Sequence, residues 1–308
     1  MSPPTAFVCG VTGTQGGMVA AQLRANNIPV HALARDTSSP GALAAQALGV
    51  TLWQGDFDNL TAIEAAMRGC TLLFLNFRPD FTDTSADLRW ARNLIAAAKA
   101  AGVKHVVFSS GLSVNAPEKL NAWNPDSLLA KFMLSKQAIE RETREAGFEH
   151  WTVIRPGNFF SNYINPLAFM FPGLVDKGVT ATAAKKDTVL PCIDPITIGK
   201  FVTAAFLDPA KFHGHNVEIA DEPKTFDEIL GGLSAATGRD LKAVYLSDQE
   251  IEAQVATSPF VQGQLASRNL IDFVDMDKVK SWGVPLSSFD AFLEREKDRV
   301  AETYRVPS

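Results

Sequence analysis

The feature that most limits how this chain can fold is a glycine-spaced turn between its first apolar run and its first amphipathic stretch. Residues 6–9 read as a buried strand, and Gly10-Val11-Thr12-Gly13-Thr14-Gln15-Gly16-Gly17 follows at once. A helix beginning near Gly16 then carries Val19, Ala20 and Leu23 on one face. Glycine at this spacing lets the backbone turn tightly and approach a ligand with no Cβ in the way. The helix start behind it offers free N–H groups and a partial positive charge to an anion. In a chain with 21 glycines the spacing alone says little; its place on the opening strand-to-helix turn makes it specific. The expected occupant is a dinucleotide pyrophosphate, contacted by Gly10, Thr12, Gly13, Thr14, Gln15 and Gly16, against the plainer alternative of a structural glycine turn.

The same rhythm continues through the first half. Residues 30–34, 50–54, 72–75, 106–109 and 151–154 read as further strands, with amphipathic stretches between them, the longest around 88–101 and 128–146. This predicts an α/β fold with a doubly wound parallel (Rossmann) sheet and ligands at the carboxyl ends of its strands. From Pro156 the chain becomes loop-rich and aromatic; residues 196–207, 225–237 and 288–304 read as helices and 216–220 as a strand. The expected division is a nucleotide-binding domain over 1–156 and a smaller α+β substrate lobe over 157–308, folded back on the first.

Composition narrows the function classes. A net charge of −5 gives no overall drive toward nucleic acid, and the longest basic candidate is Lys185-Lys186. No apolar run approaches the roughly 18 residues of a membrane span, and residues 1–5 lack a basic leader region. The three cysteines stand far apart with no CxxC spacing, which predicts neither a disulfide framework nor a metal site and suits a cytoplasmic protein. The helices of the large domain would allow a homodimer, but nothing in their composition demands one.

Cofactor choice is read at the end of the second strand, where an acid would accept from an adenosine ribose. Here the strand ends Leu33-Ala34-Arg35-Asp36. A guanidinium at Arg35 suits a 2′-phosphate and favours NADP(H), although Asp36 beside it counts against this, and a solvated surface arginine is the alternative.

With the glycine turn, Arg35 and Gln54-Gly55-Asp56-Phe57-Asp58 in place, the chain resembles the NmrA-like family of atypical short-chain dehydrogenase/reductases, which holds both NADP-sensing regulators and reductases. Leu75-Asn76-Phe77, Ser109-Ser110-Gly111, Lys136 in Lys-Gln-Ala-Ile-Glu, Arg155-Pro156-Gly157-Asn158-Phe159-Phe160-Ser161-Asn162, Ile193-Asp194 and Ile198-Gly199 extend the resemblance over nearly the whole chain. It implies that Asp56 and Phe57 flank the adenine, that Leu75, Asn76 and Phe77 line the path to the nicotinamide, and that Pro156, Gly157, Asn158 and Phe159 cover the nicotinamide side. For Asp56 a turn-capping role stays open, and for Asn158 a loop-bracing one.

One departure bears on the chemistry. The wider superfamily uses Tyr-x-x-x-Lys, but four residues beyond Tyr163, Tyr245 and Tyr304 stand Leu167, Gln249 and Ser308, and four before Lys136 stands Phe132. The usual acid is missing. Lys136, desolvated beside a nicotinamide ribose, would orient the cofactor and polarise or protonate a substrate oxygen, or serve only as a ribose ligand. Tyr163 is a candidate replacement acid; Ser110 is a weaker candidate to hydrogen-bond a substrate carbonyl, a loop-capping hydroxyl being the alternative. The aromatic run Phe159, Phe160, Tyr163, Phe169, Met170 and Phe171 either lines an apolar pocket or packs the lobes together. Two functions follow: an NADPH-dependent reductase acting on an aromatic, enone or quinone-like molecule, or a non-catalytic NADP(H)-sensing regulator that works through a protein partner. An epimerase is disfavoured, since it too would need the tyrosine.

Overall fold

A computed structural model describes residues 4–305. Residues 1–3, part of the stretch 1–5 read above for a leader, and 306–308, which include Ser308, lie outside the described residues.

In chain order the first elements are β1 (Ala6–Val8), α1 (Thr14–Ala25), β2 (Val30–Ala34), α2 (Pro40–Ala47), β3 (Val50–Gln54), α3 (Leu60–Met67), β4 (Leu72–Leu75), α4 (Ala86–Ala101), β5 (His105–Ser109), α5 (Leu128–Glu145) and β6 (His150–Pro156). Local chemistry sets their ends. Ser39 accepts the Ala42 N–H ahead of Pro40, Asn59 accepts that of Ala62, and Gly102, at φ +81°, closes α4. After β6 come β7 (Asn158–Phe159), α6 (Leu174–Lys177), β8 (Val179–Thr182), β9 (Val189–Ile193), α7 (Pro195–Leu207), α8 (Pro209–Phe212), β10 (His215–Ile219), β11 (Glu222–Thr225) and α9 (Phe226–Thr237). The last are β12 (Lys242–Tyr245), α10 (Asp248–Val255), α11 (Pro259–Ser267), α12 (Met276–Ser281), α13 (Phe289–Arg295) and α14 (Lys297–Thr303). The single helix expected over 288–304 is thus two, joined at Glu296.

The chain forms two compact units. The first holds residues 4–114, Phe132–Arg155 and Pro195–Val217; the second holds Asn115–Lys131, Pro156–Asp194 and residues 218–305. A single boundary near 156 therefore marks only one of the crossings, because α7 and β10 go back to the first unit.

That unit is built on a seven-stranded sheet in the order β10-β6-β5-β4-β1-β2-β3. β1 pairs parallel with β2 and β4, β2 with β3, β4 with β5, and β5 with β6. The order reverses between β1 and β4, the switch point at which doubly wound sheets bind ligands. The residues 216–220 expected as a strand of the smaller lobe fall in β10, at the edge of this sheet. One face buries Phe7, Leu73, Val106 and Phe108 against Ile63, Met67, Ala91 and Leu94 of α3 and α4. α1 packs against α7, where a Cβ on Gly199 would lie 2.6 Å from Met18 O. At the amino ends of β5 and β6, His105 is buried against the Phe206 ring (5.1 Å) and His150 (5.4 Å), which in turn meets His213.

The second unit contains the sheets β11-β9-β7 and β12-β8. Its core gathers Phe160, Tyr163, Leu190, Phe226, Ile229, Leu233, Phe289 and Phe292. Asp194, fully buried, binds the Arg295 guanidinium through two hydrogen bonds of 2.6 Å and accepts from Ser287 at 2.8 Å. Among the described residues no helix is long and apolar enough to cross a membrane.

Candidate functional site

The glycine turn stands at the carboxyl end of β1 and is built as the sequence requires. Gly10 adopts φ +66°, a conformation that a side chain disfavours, and the Gly13 N–H closes the turn on Gly10 O at 2.9 Å. A Cβ on Gly16 would stand 2.3 Å from Gly10 O and 2.5 Å from Cys9 O, so glycine alone lets the start of α1 press onto the strand end. The cap of α1 is Gly13, which has no side chain to satisfy the helix, and its first turn holds no acid. The orphan N–H groups and the positive end of the helix dipole therefore stay available to an anion. Gln15 is committed elsewhere: its Oε1 accepts from the Ser109 hydroxyl at 2.6 Å, tying α1 to the end of β5. Thr12 is exposed on the turn, over the start of α2 at Gly41.

The neighbouring strand ends complete the rim. Arg35 follows β2, is exposed, and among the described residues its guanidinium has no hydrogen-bond or ion-pair partner. Asp36 accepts from the Ser38 hydroxyl (2.6 Å) and N–H (2.8 Å), and that hydroxyl, with the N–H, holds its carboxyl below the usual range. After β3, Asp56 accepts the N–H groups of Asp58 and Asn59 at 3.0 Å each, the turn-capping role that was left open. Phe57 lies edge-on to Phe77 and Trp90, and its carbonyl accepts from Asn93. After β4, the side chains of Leu75 and Phe77 belong to the core, at 0% and 4% exposure. Their expected place along the cofactor path is thus limited to backbone atoms. Asn76 is the member of that trio presented to the turn, its Nδ2 3.4 Å from where a Gly10 Cβ would be.

Lys136 rises from α5 toward the carboxyl end of β5. Its Nζ donates to Ser110 O at 3.4 Å and lies 5.8 Å from the centre of the Phe108 ring. The residue keeps some accessible surface while the atoms around its ammonium enclose it; burial pulls its pKa down, opposed by Asp87 and Glu140. Ser110 Oγ is buried and meets no described partner in hydrogen-bond geometry, although the Glu140 carboxylate is close enough to be stabilised by it. Phe132, one turn before Lys136, packs edge-on against Phe81 at 5.3 Å, and Phe81 is 64% exposed.

Beneath Lys136 lies an ion pair that the sequence reading did not foresee. Glu140 of α5 and Arg155 of β6, 1% and 3% exposed, share hydrogen bonds of 2.9 and 2.7 Å, and Arg144 also donates to Glu140. Burial opposes the charge on Glu140, but Arg155 outweighs it and holds the carboxyl below its ordinary range.

The remaining expected residues belong to the second unit. Gly157 runs against β9, where a Cβ would stand 2.1 Å from Pro191 O. Asn158 and Phe159 form β7, paired with Cys192 and Ile193, while Pro156 ends β6. Asn158 Nδ2 donates to the Tyr163 hydroxyl at 3.1 Å and its Oδ1 accepts from Asn162, a loop-bracing amide. Tyr163, 1% exposed, is stacked on Phe171 at 4.5 Å, and burial raises its pKa. A phenol enclosed in this way is a poorer acid than a free one, which counts against its expected role as proton donor. Of the aromatic run, Phe160 and Tyr163, with Phe171 partly buried beside them, build the core of this unit, while Phe169 is exposed against Phe260. Two clefts of about 470 and 510 Å³ in the unit are lined by chain from elsewhere, including Lys119, Glu218, Asp272 and Lys278 in one and Lys185, Asp187 and Arg268 in the other.

The NmrA-like family model matches residues 4–280. An NmrA-like family domain-containing oxidoreductase of Aspergillus flavus is 30% identical over 256 residues, covering 77% of this chain and 75% of that protein. A (4-alkanoyl-5-oxo-2,5-dihydrofuran-3-yl)methyl phosphate reductase of Streptomyces griseus is 30% identical over 236 residues, with the same coverage of 77% and 75%. Among solved structures, an NADPH-dependent quinone oxidoreductase of Escherichia coli complexed with NADPH superposes with a TM-score of 0.68 at 21% identity, over 97% of this chain and 98% of that one.

Proposed function

The chain belongs to the NmrA-like family, and on that premise we propose that it is an NADPH-dependent reductase passing a hydride to a conjugated, hydrophobic small molecule such as an enone or a quinone. The observation that carries this is Lys136: an enclosed ammonium held at Ser110 O, in the unit of the glycine turn, with Phe132 where an acid would stand. All three tyrosines, Tyr163, Tyr245 and Tyr304, lie in the second unit. A relative that reduces a dihydrofuranone phosphate and a structural neighbour that reduces quinones support an acceptor of this kind.

The residues fit the cofactor. The N–H groups at the start of α1 would hold the pyrophosphate, Arg35 the 2′-phosphate, and Asn76 the edge of the path at the β1/β4 switch point. Bound there, the nicotinamide supplies the hydride. Lys136 would hydrogen-bond the acceptor oxygen as negative charge develops on it, which lowers the barrier without full proton transfer. Water can then protonate the resulting enolate, so conjugate reduction suits a site with no strong acid of its own.

The test is NADPH oxidation, followed by absorbance and product mass, with a panel of enones, quinones, ketones and imines. Lys136→Ala is expected to lower kcat at least about 100-fold, and Arg35→Ala to weaken NADPH binding about tenfold or more while leaving NADH unchanged. Unchanged turnover in the first variant, or unchanged cofactor preference in the second, would refute the roles assigned. Cofactor binding with no turnover of any acceptor would mark the protein instead as a regulator working through a protein partner.

A further inference from the structure

One buried carboxyl in the first unit has no structural work to account for it. Asp87, in the first turn of α4, is 4% exposed, and its Oδ1 has no hydrogen-bond partner among the described residues. It occupies the stripe that continues through Ala91, Leu94 and Ala98, where an apolar residue is expected. A buried acid without partners destabilises a fold, and such groups gather at functional sites.

The charges around it single out one relationship. Two contacts run α4 and the loop before it alongside α5, the Phe81 ring on Phe132 at 5.3 Å and Arg92 on Glu142 at 2.7 Å. Between them Asp87 of α4 stands level with Lys136 of α5, its opposite charge, with Asp80 and Asp83 of the loop as like charges. Those two loop acids are already engaged, Asp80 by Thr82 and Asp83 by Ser85 and Arg89. Seen from Lys136, the carboxylates that matter are Asp87 and Glu140. Glu140 is held by Arg155 and Arg144, which leaves Asp87 as the acid not committed to another cation.

We propose that Asp87 is the positioning residue of Lys136, the counter-charge that keeps it an ammonium at the carboxyl end of β5. The proposal deepens the reductase assignment and rests on it for its catalytic meaning. Burial pushes the Asp87 carboxyl up to about 6, so the residue is ionised and able to serve at neutral pH. Without it, desolvation would strip the proton from Lys136 at a lower pH, and the positive charge facing a substrate oxygen would be lost.

The experiment compares wild type, Asp87→Asn, Asp87→Glu, Asp80→Asn and Asp83→Asn as full-length proteins. The pH dependence of Lys136 acylation by acetic anhydride, mapped by peptide mass spectrometry without cofactor or substrate, reports the state of the amine directly. Asp87→Asn is expected to move the midpoint down by about one unit or more, to melt above wild type, and to shift the alkaline limb of kcat equally with an unchanged KM for NADPH. Asp87→Glu should hold the midpoint near wild type, and the two loop variants should leave it in place. A midpoint unmoved in Asp87→Asn, an equal shift in a loop variant, or an Asp87→Asn protein that fails to fold would each overturn the proposal. A shifted midpoint with no turnover of any acceptor would sustain the pairing and sink the reductase instead.

Discussion

Replacing Arg155 with leucine should cost the fold about 3 kcal/mol or more at pH 7, because it strands Glu140 in the interior. The pair is almost wholly buried, with Nε and one NH2 group of the guanidinium on the two carboxylate oxygens at 2.9 and 2.7 Å. Removing one partner of such a pair typically costs about 3–5 kcal/mol. Arg144 still donates to Glu140 and softens the loss, which places the expectation at the lower end. Replacing both residues by leucine removes the stranded charge and should return stability to within about 1 kcal/mol of wild type. The pH dependence has a definite sign. Glu140 titrates in the fold below its unfolded value, so its contribution is complete above that value and disappears as pH falls through the folded one. The gap between wild type and Arg155→Leu should therefore be full at neutral pH and narrow below about pH 4.5. Urea unfolding, followed by tryptophan fluorescence, measures all four corners of the cycle. A single-variant loss below about 1 kcal/mol, or a double variant no better than the single, would refute the account.

Gly16→Ala should abolish NADPH binding and lower the melting temperature, since its Cβ would stand 2.3 Å from Gly10 O; isothermal titration with NADPH, beside a melting curve, tests both halves. His105 is kept neutral by burial, with His150 and His213 adding to the effect, and its pKa falls to about 3. Its contribution to stability is thus whole above the unfolded value near 6.5 and erodes as pH drops below it, at about 1.4 kcal/mol per unit. His105→Leu should lose about 2 kcal/mol less than wild type between pH 6.5 and 5, measured by urea unfolding at both values; equal losses would overturn this.

Much of the first unit was legible because its strands are short and apolar while the helices between them keep their 3.6-residue stripe. Leu72–Leu75 announces a strand buried on both faces, and the glycine turn announces its own geometry. Where β10 would pair was not legible, since a strand that begins at His215 carries nothing local to say which sheet edge it joins. Nor did the sequence separate the core aromatics from pocket aromatics: Phe160, Tyr163 and Phe171 have the composition of either, and only packing decides. Asp87 and Glu140 did leave a signal, as lone acids on the buried stripes of α4 and α5. A stripe is recognised by its apolar members, however, so a charged residue within it reads as a break in the pattern and not as a site.

The route of the chain through β10 and α7 has a practical consequence for anyone dividing this gene. A fragment ending at residue 156 would contain the glycine turn, Arg35 and Lys136, yet β6 would become an open edge and α1 would lose the helix seated against Met18 and Gln22. Such a piece invites edge-to-edge aggregation. Chimaeras that exchange the second unit with a relative must therefore leave Pro195–Val217 with the first, and swaps made with one cut near residue 156 should yield inclusion bodies.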